Sequence, residues 1–450
     1  MPAQLQEALK HAVGNQTFPR GEKAAKEDTF FSMDDLVPVK KDAAKRSLKR
    51  VLSEMEELIR EKKWEDAVAL FYPVEEKQPE LAAYGMEIPV RAKTAFALGQ
   101  LQRFDHAIAE LTRCIKGEPD NFYHHSSLAY TAYNSLFAAQ NRDVFLSGKV
   151  RFERVELAHR HFRRSQELRP TGVTNFYREG MLYLKIEGKS IKALPLFQTA
   201  VACWDHLSEE ERKVRHQERK NYVKALYRFS GVLLEQGDSG GALKNMTRVL
   251  SEDEKSGYLS LVFKYFALGK IHFHLNRFDK ARDALLFALQ SGTGGNHDFA
   301  HELLSRTYLA MGNPQRALEV ILKIPEGRRR PYCRWTEADV LCALKRYDRA
   351  RAALLKSGER DTRSRHKSLI RLVKIAYAEN HFEQAMGYAA DADRFFQEKW
   401  GNRFLEGIFW QGVCAYRLGR KSEALALARE LKALKPDFPK LNVLFERLGA

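Results

Sequence analysis

A chain of 450 residues, 44% hydrophobic and 30% charged, has ample material for a core, which excludes disorder over most of its length. Its 75 Lys plus Arg against 58 Asp plus Glu give a formal net charge of +17, which predicts attraction to polyanions, acidic peptides or anionic surfaces without choosing among them. No stretch approaches the roughly 18 uncharged apolar residues of a membrane span, and five cysteines without a CxxC pair exclude a disulfide framework and a cysteine zinc site.

Residues 1–45 come first and lack a helical period. The opening MPAQLQEALKHAVG has no apolar block behind its first basic residue, so no secretory signal is expected and a cytoplasmic location is the default. The segment DTFFSMDDLVPV, flanked by Lys40, Lys41, Lys45 and Arg46, reads as a flexible tail or as a strap laid on the rest of the chain.

From residue 46 a period appears. RFDHAIAELTRCIKGEP (103–119), RFDKARDALLFAL (277–289), RYDRARAALLKSG (346–358) and HFEQAMGYAADA (381–392) each read aromatic, two polar residues, alanine, then apolar residues at helical spacing. The same alanine recurs as Ala67, Ala107, Ala158, Ala193, Ala242, Ala281, Ala317, Ala350, Ala385 and Ala424, at steps of 40, 51, 35, 49, 39, 36, 33, 35 and 39 residues. Three residues before it stand Trp64, Phe104, Phe278, Tyr347 and Phe382. Five before it stand Gly188, Gly237, Asn276, Gly312, Asn380 and Gly419, residue types that tolerate a left-handed helix end. Four after it come Phe71, Leu111, Phe162, Phe197, Met246, Leu285, Ile321 and Leu354, one turn along the same helix face. Pro79, Pro119, Pro170 and Pro436 follow at twelve residues, where a helix should stop. Two helices approach closely only where a small side chain lies between them, so this alanine, with Gly269 or Gly412 on the preceding helix, is expected to set the contact.

Two units are longer. The step to Ala158 leaves room for a loop or long helices near QNRDVFLSGKVRFER, within 121–170. The step to Ala242, within 208–250, holds Ser208 and Glu211, spaced as a capping box ahead of a first helix lengthened toward Gln236. Ser251 with Glu254 is spaced as another box, opening the next unit.

On these residues the chain from 46 to 450 resembles the tetratricopeptide repeat (TPR) superfamily. The resemblance implies an all-α, right-handed α-solenoid of about ten TPR-like helical hairpins. It also implies that the first helix of each hairpin lines a concave surface. Counting back from the alanines places Tyr227 and Arg228 on that surface, then Phe263, Phe266, Lys270 and Phe273, then Arg306 and Trp335. Lys367, Arg371, Lys374 and Tyr377 follow, and finally Phe409, Tyr416 and Arg417. The Lys and Asn pattern of the family's two-carboxylate clamp is not met; Lys270 and Lys374 match only its cationic element.

No Gly-rich phosphate loop, GxSxG elbow or HExxH helix occurs, so catalytic residues, metal and cofactor are all expected to be none. The expected function is a non-enzymatic scaffold that holds a protein or peptide partner with acidic and apolar residues in an aromatic and basic groove. One alternative is single-stranded nucleic acid or RNA binding through basic clusters at 149–169, 212–224, 360–374 and Arg328 to Arg330. A peptide-responsive regulatory subunit is the other.

Overall fold

The structure, a computed structural model, describes residues 36–292 and 296–449. Among the described residues every regular element is helical, and the chain divides into two compact units, at residues up to 236 and from 237 on. The expected tail or strap lies outside the described residues up to position 35; residues 36 to 45 are the opening turns of the first helix.

Unit 1 contains α1 (Leu36–Arg60), α2 (Trp64–Phe71), the short α3 (Val74–Lys77) and α4 (Pro79–Ala83), α5 (Ile88–Gln100) and α6 (Phe104–Gly117). The long pair α7 (Phe122–Asn141) and α8 (Gly148–Leu168) follows, then α9 (Val173–Met181) running into a π-helical turn at Leu182–Glu187, α10 (Ser190–Asp205), α11 (Glu209–Val214) and α12 (His216–Glu235). Unit 2 contains α13 (Ser239–Glu252), α14 (Leu261–His274), α15 (Phe278–Gln290), α16 (Asp298–Ala310) and α17 (Pro314–Leu322). After a 3₁₀ turn at Glu326–Arg328 come α18 (Pro331–Ala343), α19 (Tyr347–Arg360), α20 (Arg365–Ala378), α21 (Phe382–Trp400), α22 (Leu405–Arg417), α23 (Lys421–Leu434) and α24 (Leu441–Leu448).

Consecutive helices pack as antiparallel hairpins, and each hairpin packs on the next within its unit. The ten anchor alanines are all fully buried, on the second helix of their pairs. At Gly269 a β-carbon would come within 2.7 Å of Leu285, the residue one turn beyond Ala281, so α14 and α15 meet backbone to side chain there. Trp64, Phe104, Phe278, Tyr347 and Phe382 are each the first residue of a second helix. They cover the preceding helix: Phe278 meets Phe273 edge-on at 5.6 Å, and Tyr377 meets Phe382 at 5.3 Å.

The turn between the two helices takes a left-handed residue five positions before the alanine. Gly188, Gly237, Asn276, Gly312, Asn380 and Gly419 all have positive φ, as expected, and so do Lys62, Gln102 and Lys345, which carry the same turn without glycine or asparagine. Pro119, Pro170 and Pro436 each stand just beyond a helix end, whereas Pro79 opens α4, where its missing N–H is no loss.

Three details depart from the sequence reading. The capping box at Ser208 and Glu211 forms, but it caps the separate α11, because Arg215 leaves helical geometry at φ −96°, ψ 23° before α12 begins. Ser251 lies inside α13 and donates to the Arg248 carbonyl, so no box opens the next unit; α14 starts after Ser260. The boundary between the two units falls at Gln236 and Gly237, within the long segment expected to form the unit around Ala242.

Candidate partner-binding surface

In unit 2 the first helices α14, α16, α18, α20 and α22 neighbour one another in sequence. The hairpin register brings one aromatic and one cation of successive first helices together. Arg306 of α16 lies over the Phe273 ring of α14 at 4.9 Å. Lys367 and Arg371 of α20 lie over Trp335 of α18 at 5.4 and 5.3 Å. Arg417 of α22 lies over Tyr377 of α20 at 5.4 Å, and over Phe382 at 4.4 Å. Each contact joins an aromatic face to a delocalised or ammonium charge, an attraction that grows as water is excluded.

Hydrogen bonds and ion pairs run beside this ladder. The Trp335 indole donates to Ser368 Oγ at 2.8 Å. Arg371 grips Asp339 at 3.0 Å, Lys374 meets Glu406 at 3.2 Å, and Arg417 Nη1 donates to the Tyr377 hydroxyl at 3.1 Å. Thr336 donates to Glu302 at 2.6 Å; burial nevertheless raises the Glu302 carboxyl above its usual range, and Arg306 approaches it only to 3.9 Å. At the α14 end, burial and then the charges of Lys270 and Arg306 lower the His274 imidazole, the mark of a local cationic excess. Phe263, half exposed, stacks on Phe299 at 5.9 Å, and Phe266 meets the same ring edge-on at 4.6 Å.

The expected residues therefore fall into three groups. Phe273, Arg306, Trp335, Lys367, Arg371, Lys374, Tyr377 and Arg417 form the ladder, with Phe263, Phe266 and Lys270 at its α14 end. Phe409 and Tyr416 turn elsewhere: both pack with the cluster under α24, Phe409 against Phe438 at 5.4 Å. Tyr227 and Arg228 belong to unit 1, where the guanidinium lies over its neighbour's ring at 5.3 Å and bonds to the Tyr177 hydroxyl. Phe299, Asp339 and Ser368 take part in the unit 2 row without having been expected; Phe299 stands seven residues before Arg306 on the same helix face, a spacing that could have found it.

Much of the basic character is neutralised. Arg154 pairs with Asp105, Arg164 with Asp120 and Glu167, Arg328 with Asp298, and Arg329 with Glu337 at 2.9 Å. The clusters at 149–169 and 212–224 do meet, since Arg169 and Arg215 share Glu218 at 3.0 Å each. Among the described residues no helix is long and apolar enough to cross a membrane.

No family model and no curated protein matches the chain. Solved structures that resemble it include a tetratricopeptide repeat protein from Parabacteroides merdae (14% identity, 60% of this chain and 92% of that one, TM-score 0.42). Yeast Tom70 (11% identity, 90% and 95%, TM-score 0.39) and YrrB, described as a TPR protein with an unusual peptide-binding site (16% identity, 53% and 97%, TM-score 0.35), are others. The fold is read from the chain's own hairpins: buried alanines at the helix contact, a left-handed residue five positions before nine of the ten, and an aromatic opening the second helix in five. By that construction the described residues are all-α, and each unit is a stack of helical hairpins of the kind that the sequence resemblance implies.

Proposed function

We propose that the chain is a non-enzymatic adaptor whose unit 2 holds a partner polypeptide along the row from Phe263 to Arg417. The observation that carries this reading is the ladder itself. Three of the four first-helix steps, α14 to α16, α18 to α20 and α20 to α22, each present a partly exposed ring with a cation over it. Such a row suits a peptide that sets apolar side chains against the rings and acidic ones against Lys270, Arg306, Lys367 and Lys374. A folded enzyme site would need groups poised for proton or electron transfer, whereas the cations here are matched to rings and carboxylates.

Arg306 is half exposed and only loosely attached to Glu302, and Lys270 has no ion pair among the described residues. Reversing both charges, Lys270→Glu with Arg306→Glu, removes attraction without emptying the core. Affinity capture on the full chain, with identification of what is retained, tests the reading: the same partner should be held by the native protein and lost from the double variant. Retention of that partner at the native level would discard the row as its seat.

A further inference from the structure

A second surface lies wholly within unit 1, between α7, α9 and α12. A cavity of about 490 Å³ opens there, its walls including Ser126, Thr174, Asn175, Arg178 and Asn221. Asn175 is buried and bonded to Ser126 and Ser165 at 2.6 Å each, and Asn221 donates to Thr174 at 3.0 Å, so the polar wall is a fixed network. At its rim Glu218 already carries two cations, Arg169 and Arg215.

Arg178 has no such partner. Its guanidinium lies over the Tyr130 ring at 3.7 Å and reaches Ser126 Oγ at 3.5 Å, with no carboxylate in ion-pair range among the described residues. Burial lowers its pKa, with only the Tyr130 and Tyr177 hydroxyls acting against it. Arg228 also bonds to the Tyr177 hydroxyl. Burial, and then the charge of Arg228, lowers Lys185; burial, then Lys220 and Arg228, lowers Lys224. The acid near this group is the exposed Glu235, while Glu179, on the same helix as Arg178, faces His159. Arg178 thus stands in the cavity wall without a carboxylate, and Arg228, Lys185 and Lys224 add positive charge beside it that Glu235 offsets only at Lys185. Holding them together costs free energy in the empty protein, which a ligand bringing negative charge recovers.

The arrangement also selects the anion. A lone carboxylate leaves most of the excess in place, whereas a phosphate monoester brings close to two charges and three acceptor oxygens that match the guanidinium fork. Arg178 and Lys185 are about 10 Å apart along their helix, so a single dianion on Arg178 also lies within reach of the Lys185 charge. Tyr130, Tyr133 and Phe137 stack along α7 at 6.1 and 6.3 Å, and Tyr123, Tyr130 and Phe137 are exposed on one face, an apolar track for residues flanking the phosphate. We infer that this cleft binds a phosphorylated side chain of a partner polypeptide, with Arg178 and Arg228, which both act on the Tyr177 hydroxyl, holding the phosphate.

The test is fluorescence anisotropy on the full chain with a labelled degenerate peptide pool centred on phosphoserine, alongside the same pool centred on serine. The phosphoserine pool should bind at least about tenfold tighter, and Arg178→Gln and Arg228→Gln should each remove about that factor. Because Arg178 is uncompensated, Arg178→Gln should melt no lower than the native chain; Lys224→Gln, at the cleft edge, supplies the same loss if either arginine variant fails to fold. Equal binding of the two pools, or undiminished binding by folded variants, overturns the inference. So does inorganic phosphate competing as strongly as the phosphopeptides, which would make this a small-anion site. An RNA oligomer bound more tightly than the phosphoserine pool and lost in Arg178→Gln would overturn it in favour of nucleic acid. None of these residues belongs to the row in unit 2, so the two readings stand or fall separately.

Discussion

Lys264 and Asp253 form an ion pair of 3.1 Å whose side chains are 3% and 0% exposed. Asp253 also accepts from the backbone N–H groups of Tyr258 and Leu259, so one carboxylate ties the end of α13, the following loop and α14 together. A buried pair of this kind is costly to break, because removing one partner strands the other charge. Asp253→Ala is expected to lose about 3 to 5 kcal/mol in urea unfolding. The double change Asp253→Leu with Lys264→Met should recover part of that loss; no recovery would mean that the loop bonds, not the charges, carry the effect.

Two histidines on α8 respond to pH in opposite directions. His159 lies between Glu179 and Glu187, 2.8 Å from each; burial alone would lower its pKa, but the two carboxylates outweigh burial and raise it. The stability it contributes is complete below about pH 6.5, the ordinary histidine value, and fades as pH rises through the raised folded value. His161 is lowered from 6.5 to about 4, by burial first and then by His125 and Arg160, with His125 Nδ1 only 2.8 Å from its own. Its contribution is complete above pH 6.5 and declines as pH falls toward 4, by up to about 3 kcal/mol. Melting temperature against pH should therefore have a shallower acid-side slope in His161→Phe, where His272, His274, His301 and His366 are also lowered, and a shallower alkaline-side slope in His159→Gln. Profiles parallel to the native one would refute both assignments.

Helix turns offer a cleaner measurement. Gln102 and Lys345 sit at φ 59° and 57°, a region that a β-carbon makes unfavourable, while their side chains are exposed. Gln102→Gly and Lys345→Gly should each raise stability by about 0.5 to 1 kcal/mol, and Gly312→Ala, at φ 75° with open space around it, should lower it by about 1 kcal/mol. Denaturant midpoints at unchanged slope would show it.

Close packing at Gly269 predicts the reverse of ordinary helix propensity. Alanine normally favours a helix over glycine by about 1 kcal/mol, yet a methyl there meets Leu285 at 2.7 Å and the Ala281 carbonyl at 3.3 Å. Gly269→Ala should cost about 1 to 3 kcal/mol. Gly231→Ala, in the exposed part of α12 with nothing within 4 Å, should instead stabilise, and equal effects at both sites would exclude a steric cause.

The hairpins were legible because their determinants are local and steric. An alanine, a residue fit for a left-handed turn and an aromatic three positions ahead stand at fixed offsets, and burial of Ala107, Ala281 and Ala424 follows directly. Lys62, Gln102 and Lys345 were not legible as turn residues, since the backbone imposes positive φ on side chains that do not favour it. The ladder was readable in part: helix register puts Arg306, Trp335 and Arg371 on a common side. It does not reveal that Asp339 and Glu406 already hold two of the cations. Arg178 in unit 1 stands fifteen residues before Ala193, the offset that Trp335 has from Ala350, so the period could have found it; what the period does not show is that Arg178 lies over Tyr130 with no carboxylate in reach among the described residues.

At three of its four steps the ladder binds one first helix of unit 2 to the next through partly exposed side chains. An anion that drew Arg371 from Asp339, or Lys374 from Glu406, would slacken one step of the stack while fastening another. Under the proposed function, occupancy and the spacing of those steps are linked variables, and by reciprocity a pull along the unit that opens them changes the affinity for the partner. A spring that reports its load is what such a row amounts to mechanically.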